Sequence, residues 1–109
     1  MRHCRHLIVV EGFFDAIRLH GLRLPSVALV GTSISAEQVA LLREHCPALK
    51  AVTVLMDGDD AGRSAAPEIA AALARHWWVR IVELPDGSEP DTVETAELER
   101  LLGRNSQQS

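Results

Sequence analysis

Four short apolar runs punctuate the chain: Leu7–Val10, Val27–Val30, Val52–Met56 and Val79–Val82. The first three contain no charge and do not alternate, the pattern of parallel strands buried on both faces. The fourth is interrupted by Arg80 and is expected nearer a sheet edge. Between the runs, apolar positions recur at helical spacing. A first helix is predicted over about Phe13–His20, with Phe13, Ile17 and Leu19 as its apolar positions and Gly21 near its end. A second opens with Ser35-Ala36-Glu37-Gln38, a capping box in which Ser35 and Gln38 satisfy each other's backbone donors. Val39, Leu42 and Cys46 then share a face. A third, over about Asp60–His76, repeats Ala61, Ala65, Ile69 and Leu73. It contains Pro67, which costs about 3 kcal/mol inside a helix. Either the helix kinks there, or it begins near Ser64 and Pro67 falls in its first turn. A last helix, about Val93–Leu102, presents Val93, Ala96, Leu98, Leu101 and Leu102.

Strand and helix therefore alternate four times. That order predicts an α/β fold: an open, mostly parallel four-stranded sheet with helices on both faces. Repeats and linkers are absent, so residues 1–103 are expected to form one domain, with 104–109 a polar, frayed tail. The 109 residues are 47% apolar but only 4% aromatic, so the core must be aliphatic. A chain of this length buries roughly two-thirds of its unfolded surface and needs no staples. Cys4 and Cys46 form no CxxC pair and no disulfide framework, and His3, Cys4 and His6 match no standard zinc spacing. No run approaches the roughly 20 residues of a membrane span. The charged N-terminus lacks a signal peptide's apolar region. A cytoplasmic protein without membrane association is expected. The net charge of −4 excludes a domain that grips nucleic acid by bulk positive charge. Of Trp77 and Trp78, one is expected in the core; the other could cover a neighbouring domain, as the minority reading.

In open parallel sheets, ligands bind beyond the carboxyl ends of the strands. The first run is followed by Glu11-Gly12-Phe13-Phe14-Asp15, the second by Gly31-Thr32-Ser33. Asp57-Gly58-Asp59-Asp60-Ala61-Gly62 follows the third, and Leu84-Pro85-Asp86-Gly87-Ser88-Glu89-Pro90-Asp91 the fourth. Three of four strand ends thus release carboxylates onto one rim, where they would repel one another and raise their own pKa values. Hard oxygen donors of this kind suit Mg²⁺, which takes one or two carboxylates and completes its shell with water and substrate phosphate. Glu11, Asp15, Asp57, Asp59, Glu89 and Asp91 are the candidate ligands; without these six, bases outnumber the remaining acids. Gly58 and Gly62 permit close backbone approach between strand and helix. Gly31, Thr32 and Ser33 could offer backbone N–H groups to a phosphate, with helix capping the competing reading.

These segments, in this order, resemble a Toprim domain, the module shared by bacterial-type primases, type IA and type II topoisomerases, OLD-family nucleases and RecR-like repair proteins. Val10-Glu11-Gly12-Phe13-Phe14-Asp15 resembles its first motif, and Met56 to Ala66 resembles the Asp-x-Asp motif in its primase form. Leu29-Val30-Gly31-Thr32-Ser33 resembles the primase Leu-Gly-Thr-Ser loop. The stretch from Leu84 to Asp91 resembles Leu-Pro-x-Gly-x-Asp-Pro-Asp, with Glu89 in place of an Asp; Asp60 fills a slot that is often basic. The resemblance spans about residues 7–95. It implies Mg²⁺- or Mn²⁺-dependent nucleotidyl or phosphoryl transfer on nucleic acid, in a primase the DNA-templated synthesis of RNA primers. It implies Asp57 and Asp59 as metal ligands and Glu11 as ligand or general acid/base. Asp15, Glu89 and Asp91 would complete a second position. The implied partners are DNA or RNA, nucleotides and other replication or recombination domains. A primase's zinc-binding, template-holding and helicase-binding domains have no counterpart in these residues, so activity is expected to need further domains. Two alternatives are a nuclease of the same fold, which would use the same acids, and a non-catalytic binding module of the repair type, against which the full acid set argues.

Overall fold

In the computed structural model, residues 2–103 are described; the tail expected at 104–109 lies outside them. The elements run β1 (His6–Val10), α1 (Phe13–Gly21), β2 (Ser26–Ala28), α2 (Ala36–His45), β3 (Ala51–Leu55), α3 (Asp60–Leu73), β4 (Trp78–Val82) and α4 (Thr95–Leu101). All strand pairs are parallel, in the order β2-β1-β3-β4. The predicted α/β architecture is what forms, with the Arg80-bearing strand at an edge.

The central strands carry side chains to both faces, and each face has its own aliphatic core. Leu7, Val9, Val52 and Val54 meet Val39 of α2 and Ala65, Ile69 and Leu73 of α3. Ile8, Val10 and Leu55 meet Leu19 of α1, Leu98 of α4 and Leu84 and Val93 from the flanking loops. Two buried hydroxyls are satisfied: Thr53 Oγ1 lies 2.6 Å from His6 Nε2, and the Ser26 hydroxyl donates to the Ala16 carbonyl at 3.3 Å. His6 opens β1 with its ring against Thr53. Burial, and secondarily Arg80, holds its pKa below the usual value. Both cysteines are free. Of the tryptophans, Trp77 packs against the α2–α3 core and Trp78 is exposed.

Three expectations are corrected. Phe13 and Ile17 do not face inward; they are exposed, and the buried residues of α1 are Asp15 and Leu19. An acid occupies the inward stripe, which a count of apolar positions cannot detect. In α3 the buried stripe begins at Gly62, not Ala61, and continues through Ala65, Ala66, Ile69 and Leu73. The helix begins at Asp60 and keeps Pro67 in its interior rather than in its first turn. β2 is shorter than its apolar run. Val30 turns to φ 57 and donates its N–H to the Glu11 carbonyl at 2.8 Å, leaving the strand direction. A β-branched residue rarely adopts that conformation, so the turn stores strain.

Candidate metal centre

The strand order reverses between β1 and β3: β2 lies on one side of this pair and β4 on the other. That switch point opens a crevice beyond the carboxyl ends of β1 and β3, where Glu11 and Asp57 stand.

The loop after β4 is tied onto this crevice. Gly58 N–H donates to Ser88 O, and Gly87 N–H to Gly58 O, each at 2.7 Å. A side chain at 58 could not fit there, since its Cβ would lie 2.1 Å from the Pro85 carbonyl oxygen. Arg63, one turn into α3, holds the same loop by ion pairs to Asp86 and, at 3.9 Å, to Glu83. From the other side, Arg18 Nη1 donates to the Pro90 carbonyl at 2.9 Å. Asp15 completes the clamp. Its side chain is buried, and its two oxygens accept from Gly12 N–H at 3.2 Å and Asp91 N–H at 3.0 Å. The roles of Arg18 and Arg63 are not legible in the sequence. The one available signal is their position, each one turn beyond an acid of the rim.

These ties bring Asp15, Asp57 and Glu89 together, each offering an oxygen within 4.8 Å of the others. Glu11 and Asp59 lie close enough to act on Asp57 electrostatically but do not join that mutual set. Asp91 contributes its backbone N–H to Asp15, while the residue itself is exposed. In the Gly31-Thr32-Ser33 loop, the Gly31 N–H is directed at the Glu11 carbonyl at 3.3 Å. A phosphate there would depend on Thr32 and Ser33.

Asp59 has a second task. Its Oδ1 accepts from Gly62 N–H at 2.7 Å and caps α3. Asp59→Ala is therefore expected to cost about 1 kcal/mol, whereas Asp59→Asn keeps the cap and should stay near neutral. Urea unfolding of the two variants checks this; equal losses would show that the charge rather than the cap matters.

The crevice is electrostatically frustrated. Burial, then Glu11, Asp15, Glu89 and Asp59, push the Asp57 pKa up to about 7. The Glu11 carboxyl is raised, first by burial and then by Asp59. Asp15 is raised by burial even against the two N–H groups that favour its charge. Among the described residues, Glu11 Oε1 and Asp57 Oδ1 are buried side-chain oxygens with no hydrogen-bond partner. Buried acceptors are normally satisfied, and a charged one without a partner is costly. A divalent cation answers both defects: it supplies the missing partner and offsets the mutual repulsion. The donor set, all hard oxygen, fits Mg²⁺ or Mn²⁺ rather than a softer metal.

Comparison with known proteins identifies the family and the fold. The Toprim-like family model matches residues 8–94. The DNA primase of Myxococcus xanthus is 35% identical over 109 residues, covering 94% of this chain and 18% of that protein. The DNA primase of Aquifex aeolicus is 42% identical over 87 residues, 77% of this chain and 17% of that protein. A DNA primase domain from Pseudomonas aeruginosa superposes with a TM-score of 0.75 at 32% identity, covering 94% of this chain and 34% of that one. The chain thus spans under a fifth of the length of these curated relatives. The match reaches from β1 to the start of α4 and takes in Glu11, Asp15, Asp57, Asp59, Glu89 and Asp91, so the chain belongs to the Toprim-like family.

Proposed function

We propose that this chain is the metal-dependent phosphoryl-transfer domain of a primase-like protein, acting on nucleotides and DNA in the cytoplasm together with further replication domains. One observation carries the reading. Three carboxylates, Asp15 of α1 and Asp57 and Glu89 of the loops after β3 and β4, converge at the β1–β3 switch point, where Asp57 Oδ1 and Glu11 Oε1 are buried acceptors that have no partner. Asp57, Glu89 and Asp15 would hold a Mg²⁺ or Mn²⁺ ion, with Glu11 and Asp59 beside them. Bound there, such an ion supplies charge neutralisation to phosphate oxygens and to the attacking and leaving oxygens. The protein's own contribution is position and proton affinity. Asp15 and Arg18 fix the Glu89 loop, and Gly58 docks it against β3. Glu11, whose carboxyl is raised first by burial and then by Asp59, holds a proton more readily than an ordinary carboxyl and is suited to exchange it with a reacting oxygen. No helix among the described residues is long and apolar enough to cross a membrane.

A domain exchange tests the proposal. This chain replaces the matching segment of the Myxococcus xanthus primase, and primer synthesis on single-stranded DNA is measured with Mg²⁺ or Mn²⁺. Synthesis that depends on metal and disappears in Asp57→Asn is expected. A chimaera that folds and binds metal but makes no primers contradicts it. Metal-dependent cleavage of labelled DNA by the chain alone would favour the nuclease alternative.

A further inference from the structure

β4 is an outer strand, paired to β3 without interruption from Trp78 to Val82. The Trp78 N–H donates to the Lys50 carbonyl at 3.0 Å. Backbone groups alternate along a strand, so Trp78, Arg80 and Val82 face β3. Val79, Ile81 and, next in line, Glu83 turn their N–H and C=O groups to the open side. Natural edges are usually blunted by Pro, Lys, a bulge or an inward charge. Within the strand this one has none of these on its outward row, where the first charge is Glu83, one residue past its end. Its single charge, Arg80, is drawn back across the sheet to the Leu102 carbonyl at 2.6 Å. The edge is also apolar where it should be wet: Ile81 is 41% exposed and Trp78 82%. Beside Ile81 a groove of about 320 Å³ runs between β4 and α3, lined in part by Ala66 and Pro67.

The charges around the edge are polarised. At its start stand Lys50 and Arg75, exposed and without an ion-pair partner among the described residues. At its end stand Glu83 and Asp86, both largely exposed and both paired to the single Arg63, which leaves that end with a net negative charge. A partner strand with the reverse polarity would match both ends, and such a strand is β4 itself, turned antiparallel.

We propose that β4 is a self-association edge, on which a second copy of this chain pairs antiparallel about a two-fold axis at Ile81. That register sets Ile81 opposite Ile81 and Val79 opposite Glu83, so the outward groups of each chain meet the outward groups of its partner. It also sets Arg80 opposite Val82. Shifting the axis to Arg80 would place the two Arg80 side chains opposite each other, which is unfavourable. The two Ile81 side chains meet on the α3 side, over the groove, and the two sheets become one of eight strands. The basic start of each strand lies beside the acidic end of the other. A parallel arrangement would oppose like charges and would not close. The groove under Ile81 reaches Asp57 and Gly58 at the end of β3, so the two-fold contact borders the acidic crevice, but it rests on the strand edge and its charges and not on the proposed chemistry.

Sedimentation of the 109-residue chain over a concentration series tests it. A reversible monomer–dimer equilibrium is expected, weakening as salt rises. Ile81→Lys, a half-exposed position at which folding should survive, is expected to weaken it about tenfold or more by setting two like charges opposite each other. Arg75→Glu should weaken it, and adding Glu83→Lys to Arg75→Glu should restore it. Circular dichroism confirms that each variant is folded. A wild type that stays monomeric at hundreds of micromolar and low salt overturns the proposal and leaves the edge to a different chain or segment. A dimer indifferent to Ile81→Lys overturns it equally.

Discussion

Gly62→Ala is expected to unfold this protein or to cost it at least about 3 kcal/mol, although the change is from a poor helix former to the best one. Within a helix, Ala exceeds Gly by about 1 kcal/mol. Gly62 lies in the first turn of α3, and its added Cβ would stand 2.2 Å from the Asp57 carbonyl oxygen and 3.1 Å from Asp57 C and N. All three are backbone atoms, so no rotamer change relieves the contact. Either α3 withdraws from β3, opening the core around Ala65 and Ile69, or Asp57 moves and the crevice is lost. Forced overpacking commonly costs about 1–3 kcal/mol and more when backbone must shift. Gly21, at the end of α1, is the control: its added Cβ meets nothing within 4 Å. Urea melts of Gly62→Ala and Gly21→Ala decide it. A Gly62→Ala midpoint at or above the wild type would contradict the packing described here.

Asp57→Asn is expected to stabilise the metal-free protein and to remove its response to metal. The sign follows from the pKa. In the folded chain Asp57 is raised from 3.8 to about 7. Between those values the folded state holds a proton that the unfolded state has released. Stability from this group is therefore complete below about pH 4 and is lost as pH rises toward 7. Above pH 7 the charged carboxylate is a full liability. Water and salt screen a crevice open to solvent, so the recoverable stability is about 1–2 kcal/mol, or roughly 5–10 °C in melting temperature for a domain of this size. His6, held neutral by burial, acts in the opposite direction at low pH. The informative quantity is therefore the difference between wild type and Asp57→Asn, followed from pH 5 to pH 8 in chelator. The variant's advantage should grow with pH and should shrink or reverse on adding Mn²⁺. An advantage that is absent, or that shrinks as pH rises, would mean that Asp57 is charged and well solvated in the folded chain.

Much of the fold is legible in the order of the segments. Three uncharged runs and one carrying Arg80 specify a parallel sheet and its exposed edge, and Ser35 with Gln38 marks the start of α2 through both reciprocal bonds. Less legible is what depends on contacts between distant residues. The inward stripe of α1 carries Asp15, an acid that is buried because Gly12 and Asp91 supply its hydrogen bonds from opposite ends of the chain. The run ending at Val30 reads as strand to its end, yet the Glu11 carbonyl captures the Val30 N–H and turns it away. Of the candidate ligands, all six can be named from strand ends alone. Which of them share one point cannot, because that depends on how Arg18, Arg63 and Gly58 fold the β4 loop back over the crevice. The same loop makes Asp91 a backbone donor and brings Glu89, with its longer side chain, to Asp57. Asp59 is a ligand candidate in the sequence and a helix cap in the fold, where its Oδ1 accepts from the Gly62 N–H.

Titration of the chain with Mn²⁺, followed by the relaxation enhancement of water protons, tests the central claim most directly. The wild type should bind Mn²⁺ weakly, in or near the millimolar range, because ions of this class keep much of their water and complete their shell from substrate phosphate. Asp57→Asn and Glu89→Gln should each lose most of the enhancement, while Glu44→Gln, an exposed acid of α2 outside the cluster, should retain it. Enhancement absent from the wild type, or undiminished in Asp57→Asn, would contradict the assignment of this crevice as a metal centre.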